Sequence, residues 1–188
     1  MSCETIERMY EQPPEPAVFL ITGPSAAGKS TVAERLAQRF EQGVHIEGDS
    51  FRRHIVSGRA DMTPEPSPEA LTQLRLRYEL GAMAADSYFK QGFTVVLEDV
   101  IAGEYLIEYS RLVKSRPLYV VCLLPSLTSI QTREEHRRTN GYDHFSVQQL
   151  HDLFANHTPR IGLWLDTSSH SVDETVDELV ARTDEAKV

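Results

Sequence analysis

The chain has 188 residues, which suits one compact α/β domain and leaves little room for a second. Its formal net charge of −9 argues against a phosphate-rich polymer as a partner of the whole surface, although a local basic pocket stays open. No apolar run approaches the length of a membrane span, and the two cysteines, Cys3 and Cys122, fit a reducing compartment. We therefore expect a cytoplasmic protein with no membrane partner, and nucleic acid is not the expected ligand.

The predicted elements begin after a polar, proline-rich leader at 1–16, which we expect to be flexible. Short apolar runs predict five strands, at 17–22, 44–47, 93–97, 117–124 and 161–166. Helical spacing separates them at 30–40, in a stretch after residue 50, and at 68–91, 104–114, 126–138, 146–156 and 172–182. This alternation predicts one domain over 17–188, built as a five-stranded parallel sheet with helices on both faces in a three-layer α/β/α arrangement.

Residues 23–30 read Gly-Pro-Ser-Ala-Ala-Gly-Lys-Ser and match the phosphate-binding pattern G-x-x-x-x-G-K-[ST] completely. A predicted strand precedes the pattern and a helix follows it, which is the context of a P-loop NTPase fold. In such a loop the backbone N–H groups surround the phosphates, Lys29 reaches the β- and γ-phosphates and takes part in catalysis, and the Ser30 hydroxyl binds Mg²⁺. The predicted nucleotide-binding residues here are Gly23, Ser25, Ala26, Ala27, Gly28, Lys29, Ser30 and Thr31.

Asp49 follows the second predicted strand, at the edge of the sheet that carries the phosphate loop. A carboxylate at that place can accept the proton of an attacking hydroxyl, so we predict a catalytic and substrate-binding role. Arg52 lies one helical turn further on and can hold an anionic substrate or the moving phosphoryl group. The competing interpretation is that Asp49 only caps the next helix, a role that its residue type also favours.

Residues 17–53 resemble the opening of the small-molecule P-loop kinases, among them adenylylsulfate kinase, gluconate kinase and chloramphenicol phosphotransferase. The resemblance implies a fold of the nucleoside- and nucleotide-kinase type with a short lid, and ATP with Mg²⁺ as cofactors. It also implies that Asp49 acts as the base or as the group that orients the hydroxyl. The Asp-x-x-Arg step from Asp49 to Arg52 is similar to the 5′-kinase domain of polynucleotide kinases as well.

Glu98 and Asp99 end the third predicted strand in an acidic pair, and a similar pair occurs in chloramphenicol phosphotransferase. Side chains alternate along a strand, so the two carboxylates should point to opposite sides. We assign Glu98 to the metal with Ser30 and Asp99 to the substrate, although the pattern alone leaves the reverse open. The segment from Asp99 to Gly103 lacks the proline-arginine step usual in nucleoside monophosphate kinases, which counts against a nucleotide monophosphate as acceptor.

Arg133 and Arg137 lie four residues apart, on one face of a predicted helix. They resemble the R-x-x-x-R segment of the P-loop kinase lid, which implies a lid at 133–143, nucleotide contacts for both arginines and a catalytic role for Arg137. Arg138 is an alternative to Arg137. A solvated helix face, with both arginines paired to neighbouring glutamates, is the competing interpretation.

The long segment at 54–91 should cover the acceptor site. Arg75 and Arg77 are two residues apart on its helix and face different directions, so at most one enters the pocket; we assign Arg75 to the substrate.

The leading hypothesis is an ATP-dependent phosphotransferase acting on a hydroxyl of a sugar, an antibiotic or a nucleoside-like metabolite. ATP is the default donor because no guanine-specifying Asn-Lys-x-Asp element is visible. The alternatives are a polynucleotide 5′-hydroxyl kinase and a P-loop ATPase that acts as a conformational switch. The sequence leaves the acceptor and the oligomeric state open.

Overall fold

The computed structural model describes residues 16–135 and 144–188. Residues 1–15, which make up most of the predicted leader, lie outside these ranges. Most of the predicted lid, including Arg137 and Arg138, also lies outside them.

One five-stranded, fully parallel sheet forms the centre of the molecule, with the strand order β2-β3-β1-β4-β5. The strands are β1 (Val18–Thr22), β2 (Gly43–Glu47), β3 (Thr94–Glu98), β4 (Leu118–Leu123) and β5 (Leu163–Leu165). Every residue of β1, β3 and β4 is buried, which explains why these strands are continuous apolar runs in the sequence. The predicted parallel α/β fold is confirmed.

Eight helices connect and flank the strands in the described residues. They are α1 (Lys29–Ala37), α2 (Asp49–Arg53), α3 (Pro68–Phe89), α4 (Tyr105–Leu112), α5 (Leu127–Glu135), α6 (Val147–His157), α7 (Val172–Ala181) and α8 (Thr183–Ala186). Serine side chains fix three of the N-termini: Ser67 caps α3 ahead of a proline, and Ser146 and Ser171 form capping boxes at α6 and α7.

The alternation of β1 side chains separates the two hydrophobic cores. Phe19 and Ile21 belong to the core that α1 and α7 cover, whereas Val18 and Leu20 belong to the core that α3 and α4 cover. The helices therefore lie on both faces of the sheet, as the alternation of strands and helices predicts.

The structure differs from the sequence prediction only in small details, mainly at the ends of strands and helices. β5 begins at Leu163 rather than at residue 161, because Gly162 has a φ of +67° and interrupts the extended conformation. α8 is an additional short helix after α7, and it packs against β4 and β5. In residues 16–135 and 144–188, no helix is both long enough and apolar enough to cross a membrane.

Candidate active site

The phosphate loop between β1 and α1 has the backbone conformation that its glycines predict. Gly28 has a φ of +94°, and Ala26, with a φ of +59°, is a non-glycine residue in the left-handed region. A β-carbon at Gly23 would overlap the carbonyl oxygen of Leu123. The N-cap of α1 is Gly28, which has no side chain that could cap the first turn of the helix. The loop therefore fits a bound phosphate.

Lys29 and Ser30, at the start of α1, carry the reactive side chains of the loop. The Nζ of Lys29 donates to the carbonyl oxygen of Pro24 at 3.0 Å, and the residue is 8% exposed. The Ser30 hydroxyl donates to Oε1 of Glu98 at 2.8 Å. A hydroxyl beside a buried carboxylate is a set of hard oxygen donors that fits Mg²⁺, which takes most of its remaining ligands from water and phosphates. Ser30 and Glu98 are thus the residues that would hold this ion.

The carboxyl ends of β2 and β3 bring Asp49 close to Asp99. The Gly48 amide donates to the Glu98 carbonyl oxygen at 2.8 Å, and a β-carbon at Gly48 would overlap the Asp99 carboxylate. A glycine is therefore required at position 48 for Asp49 to follow so near the end of β3. Glu98 faces Ser30 while Asp99 faces the other side, which is the division expected from strand alternation.

Arg77, on α3, joins these two aspartates. Its Nη1 donates to Oδ1 of Asp49 at 2.8 Å and its Nε donates to Oδ2 of Asp99 at 2.7 Å, while Nη2 contacts the second oxygen of Asp99. The Arg77 side chain is 11% exposed and the Asp99 side chain is fully buried. The bidentate pair with Asp99 fixes the Arg77 guanidinium at the end of β3 and thereby ties α3 to the sheet.

Asp49 accepts hydrogen bonds from two further arginines. Arg52 donates from Nε at 3.0 Å and Arg53 from Nη1 at 2.9 Å. Burial alone would raise the pKa of the Asp49 carboxyl, but the charges of Arg77, Arg52 and Arg53 together outweigh that effect and hold the pKa below its ordinary value. Asp49 is therefore an ionised hydrogen-bond acceptor. It is also the first residue of α2, whose N-cap is Gly48, so the simple capping interpretation does not describe it.

The prediction was wrong about which of the two arginines of α3 enters the cleft. Arg75, which the sequence analysis assigned to the substrate, lies outside the cleft, with its side chain 57% exposed and its Nε 3.8 Å from Glu108 on α4. Arg77 is the one that enters the cleft. The two residues are ~200° apart around the helix and flank its buried stripe on opposite edges, so the sequence could not tell which edge faces the sheet end.

Arg133, near the end of α5, lies where the phosphate loop and the loop after β5 meet. Its Nη2 donates to the carbonyl oxygen of Thr167 at 2.7 Å and its Nη1 to that of Ala27 at 3.3 Å. It thereby links the phosphate loop to the loop after β5. Its predicted partner Arg137 lies outside the described residues, and its role stays a prediction.

A single cavity of about 360 Å³ contains both halves of the predicted site. Ser25, Lys29, Ser30 and Glu98 line the part at the phosphate loop, which we call the donor side. Asp49, Arg52, Arg77 and Asp99 line the part beside α2 and α3, which we call the acceptor side. Several residues that line the cavity were not among the predicted site residues, namely Arg53, Asp61, Met62, Gln73, Leu74, Phe145 and Leu150. The predicted cover at 54–91 indicated the region of most of them, but not which side chains face inward.

A family model described as an AAA domain matches residues 18–159. The chain belongs to this AAA domain family. The matched range begins at β1 and extends past α6, so the AAA domain includes the phosphate loop, both acidic strand ends and Arg77.

Two curated relatives of this AAA domain chain are tRNA dimethylallyltransferases. The protein from Methylobacterium radiotolerans is 44% identical over 61 residues, covering 32% of this chain and 20% of that protein. The protein from Staphylococcus aureus is 27% identical over 158 residues, covering 75% of this chain and 47% of that protein. The chain spans less than half the length of these curated relatives.

Solved structures with the same fold include three kinases. A sugar kinase from Janibacter sp. has a TM-score of 0.67 at 14% identity, covering 91% of this chain and 96% of that chain. A gluconokinase from Sinorhizobium meliloti has a TM-score of 0.60 at 18% identity, covering 90% and 92%. The APS kinase of Mycobacterium tuberculosis, in complex with AMPPNP and APS, has a TM-score of 0.63 at 16% identity, covering 89% and 97%. The resemblance to small-molecule P-loop kinases is confirmed at the level of the fold.

Proposed function

We propose that the chain is an ATP- and Mg²⁺-dependent phosphotransferase that moves the γ-phosphoryl group of ATP to a hydroxyl of a small molecule. The observation that carries the proposal is that Lys29 and Asp49 line the same cavity. A phosphate-holding cation and an ionised acceptor for a hydroxyl proton are two of the groups that kinases use for in-line phosphoryl transfer.

On the donor side, the phosphate loop binds the β- and γ-phosphates through backbone N–H groups and through Lys29. Lys29 lies on the first turn of α1, so its ammonium group acts together with the positive end of the helix. Mg²⁺, when bound by Ser30 and Glu98, supplies positive charge to the phosphate oxygens. Arg133 lies beside the loop after β5 and can contact the nucleotide base.

On the acceptor side, Asp49 accepts a hydrogen bond from the acceptor hydroxyl and directs its oxygen toward the γ-phosphorus. The new oxygen–phosphorus bond forms as the bond to the β,γ-bridging oxygen breaks, and ADP leaves. Because its pKa is held low, Asp49 orients the hydroxyl first and takes its proton late, as the new bond forms. Solvent then removes that proton.

The test is an ATP-consumption screen over hydroxylated metabolites and antibiotics, with mass spectrometry of the products. The proposal requires at least one compound that raises ADP formation and gains the mass of one phosphoryl group. Slow ADP formation that no compound accelerates, with no phosphorylated product, would support the switch ATPase instead. Phosphorylation of an oligonucleotide 5′-hydroxyl in the same screen would support the polynucleotide kinase alternative.

A further inference from the structure

The cavity as a whole is lined by many charges but has no excess of positive charge. The described residues that line the cavity include four cations, Lys29, Arg52, Arg53 and Arg77, and five carboxylates, Glu47, Asp49, Asp61, Glu98 and Asp99. The positive charges that an anionic acceptor would contact are therefore already neutralised by carboxylates of the chain. Taking a carboxylate or phosphate out of water is unfavourable unless a cation compensates for its lost hydration.

Arg77 is the cation least able to turn toward an anionic acceptor. Two of its nitrogens hold Asp99, whose side chain is fully buried. If Arg77 turned to a ligand, Asp99 would be left as a buried charge without its partner, which is among the most unfavourable situations in a protein interior. Arg77 thus positions Asp49 and is not available to bind a second anion.

Arg52 and Arg53 are committed to carboxylates as well. Arg52 bridges Asp49 and Asp61, so turning it toward a ligand would break its bonds to both carboxylates. Arg53 holds Glu47 through both terminal nitrogens and also contacts Asp49. Each guanidinium that lines the acceptor side already has at least two hydrogen bonds to carboxylates.

Apolar side chains form the remaining wall of the acceptor side. The larger ones that line the cavity are Ile55, Met62, Leu74, Val100, Phe145 and Leu150, and Ala60 and Ala70 line it as well. The loop that carries part of this wall is held in place by Gln73, which accepts from the Ala60 amide at 2.9 Å and donates to the Gly58 carbonyl oxygen at 2.9 Å. The chain itself therefore holds the loop part of this wall in place, and an apolar wall beside polar groups that fix orientation is typical of pockets for small organic molecules.

We infer that the acceptor is an uncharged alcohol with an apolar body, bound with its hydroxyl on Asp49 and its body against Met62, Leu74 and Phe145. This inference rests on the proposed function, since it assigns the acceptor class of the same site. It selects against carboxylated sugars, sugar phosphates and polynucleotide ends, all of which bring a negative charge to the arginines.

The experiment measures the binding of matched pairs of hydroxylated fragments that differ by one carboxylate. Suitable pairs are phenyl β-glucoside with phenyl β-glucuronide, and 1,4-benzenedimethanol with 4-(hydroxymethyl)benzoate. Saturation-transfer NMR is recorded with Mg²⁺ and AMPPNP at saturating concentration, so that carboxylates cannot bind in the phosphate loop. We expect the uncharged member to bind at least ~10-fold more tightly, the effect of leaving one charge poorly compensated.

A pair of variants on α3 connects the preference to this wall. Leu74→Lys adds a cation to the apolar wall and should reverse the preference in favour of the carboxylated member. Leu76→Lys makes the same change two residues further on, at an exposed position that does not line the cavity, and should change nothing. Met62→Lys, on the loop, provides a second test of the wall if Leu74→Lys does not fold.

Three results would overturn the inference: tighter or equal binding of the carboxylated members, binding of neither member of any pair, or an unchanged preference in a folded wall variant. The assay contains no transferable phosphoryl group, so it reports on the acceptor pocket alone. If the preference holds but the ATP screen yields no phosphorylated product, phosphotransfer is wrong and the pocket assignment stands. If anionic compounds are phosphorylated, the acceptor class is wrong and the phosphotransferase stands.

Discussion

Nη1 of Arg77 donates to Oδ1 of Asp49 at 2.8 Å, although 28 residues separate them in the chain. The contact joins the middle of α3 to the start of α2, and Arg77 simultaneously holds the buried Asp99 at the end of β3. One guanidinium therefore connects three elements of the site, and its charge contributes most among the three arginines that lower the pKa of Asp49.

Replacing Arg77 with methionine should destabilise the fold substantially. The change leaves the fully buried Asp99 without its partner, and breaking a buried pair in this way costs about 3–5 kcal/mol. The free energy of unfolding in urea measures the loss. Arg75→Met is the matched control on the same helix, since its pair is exposed and should contribute less than about 1 kcal/mol. Equal losses of stability in Arg77→Met and Arg75→Met would contradict the burial of the Arg77–Asp99 pair. Adding Asp99→Asn to Arg77→Met removes the unpaired buried charge and should recover part of the stability.

The pKa of Asp49 should rise when its arginines are removed one at a time. In the wild type it is below the ordinary aspartate value, so the stability that its ion pairs contribute is present above that ordinary value and is lost as the pH falls through the lowered one. Arg77→Met should raise the pKa more than Arg53→Met does, because the Arg77 charge has the larger effect on Asp49. Carboxyl-detected NMR titration measures both shifts. A larger shift in Arg53→Met would show that Arg77 is not the dominant charge.

The positions of the strands and most helices follow from the sequence because buried parallel strands are uninterrupted apolar runs. The prediction of a strand at 17–22 and the observed Val18–Thr22 differ by one residue. The phosphate loop can also be predicted from the sequence, because its positive-φ conformation at Gly23 and Gly28 requires glycine locally.

The contacts of the acceptor side could not be predicted in the same way. Asp49, Arg77 and Asp99 come from three separate elements, and their meeting depends on how α3 is rotated on the sheet. Arg75 and Arg77 both flank the buried stripe of that helix, so the local sequence pattern does not indicate which of them enters the cleft. Only the packing of α3 against β3 decides between them, and that packing is a property of the whole fold.

Asp49→Asn should abolish phosphoryl transfer while leaving nucleotide affinity nearly unchanged. The amide has almost the same shape but cannot accept the hydroxyl proton, and general base groups contribute about 10²–10⁴-fold to the rate. Product formation with the best acceptor and nucleotide binding by calorimetry are the two measurements. Asp177→Asn is a suitable control, since that residue forms an exposed pair with Arg39 away from the cavity. Transfer at the wild-type rate in Asp49→Asn would reduce Asp49 to a structural residue.

Ser30→Ala and Glu98→Gln should make nucleotide binding insensitive to Mg²⁺. The Ser30 Oγ and the Glu98 Oε1 are 2.8 Å apart, and both residues are proposed to hold Mg²⁺, so either change should weaken Mg²⁺ binding by about 10–100-fold. The measurement is the ratio of nucleotide affinities with Mg²⁺ and with EDTA, which should fall toward one in both variants but stay at the wild-type value in Ser87→Ala, an exposed serine on α3. EDTA should also stop phosphoryl transfer by the wild type. Adjacent side chains at the end of β3 point to opposite sides, so only one of the two carboxylates can face the phosphate loop. A ratio that is unchanged in Glu98→Gln but falls in Asp99→Asn would therefore assign the metal to Asp99 and contradict the role of Glu98.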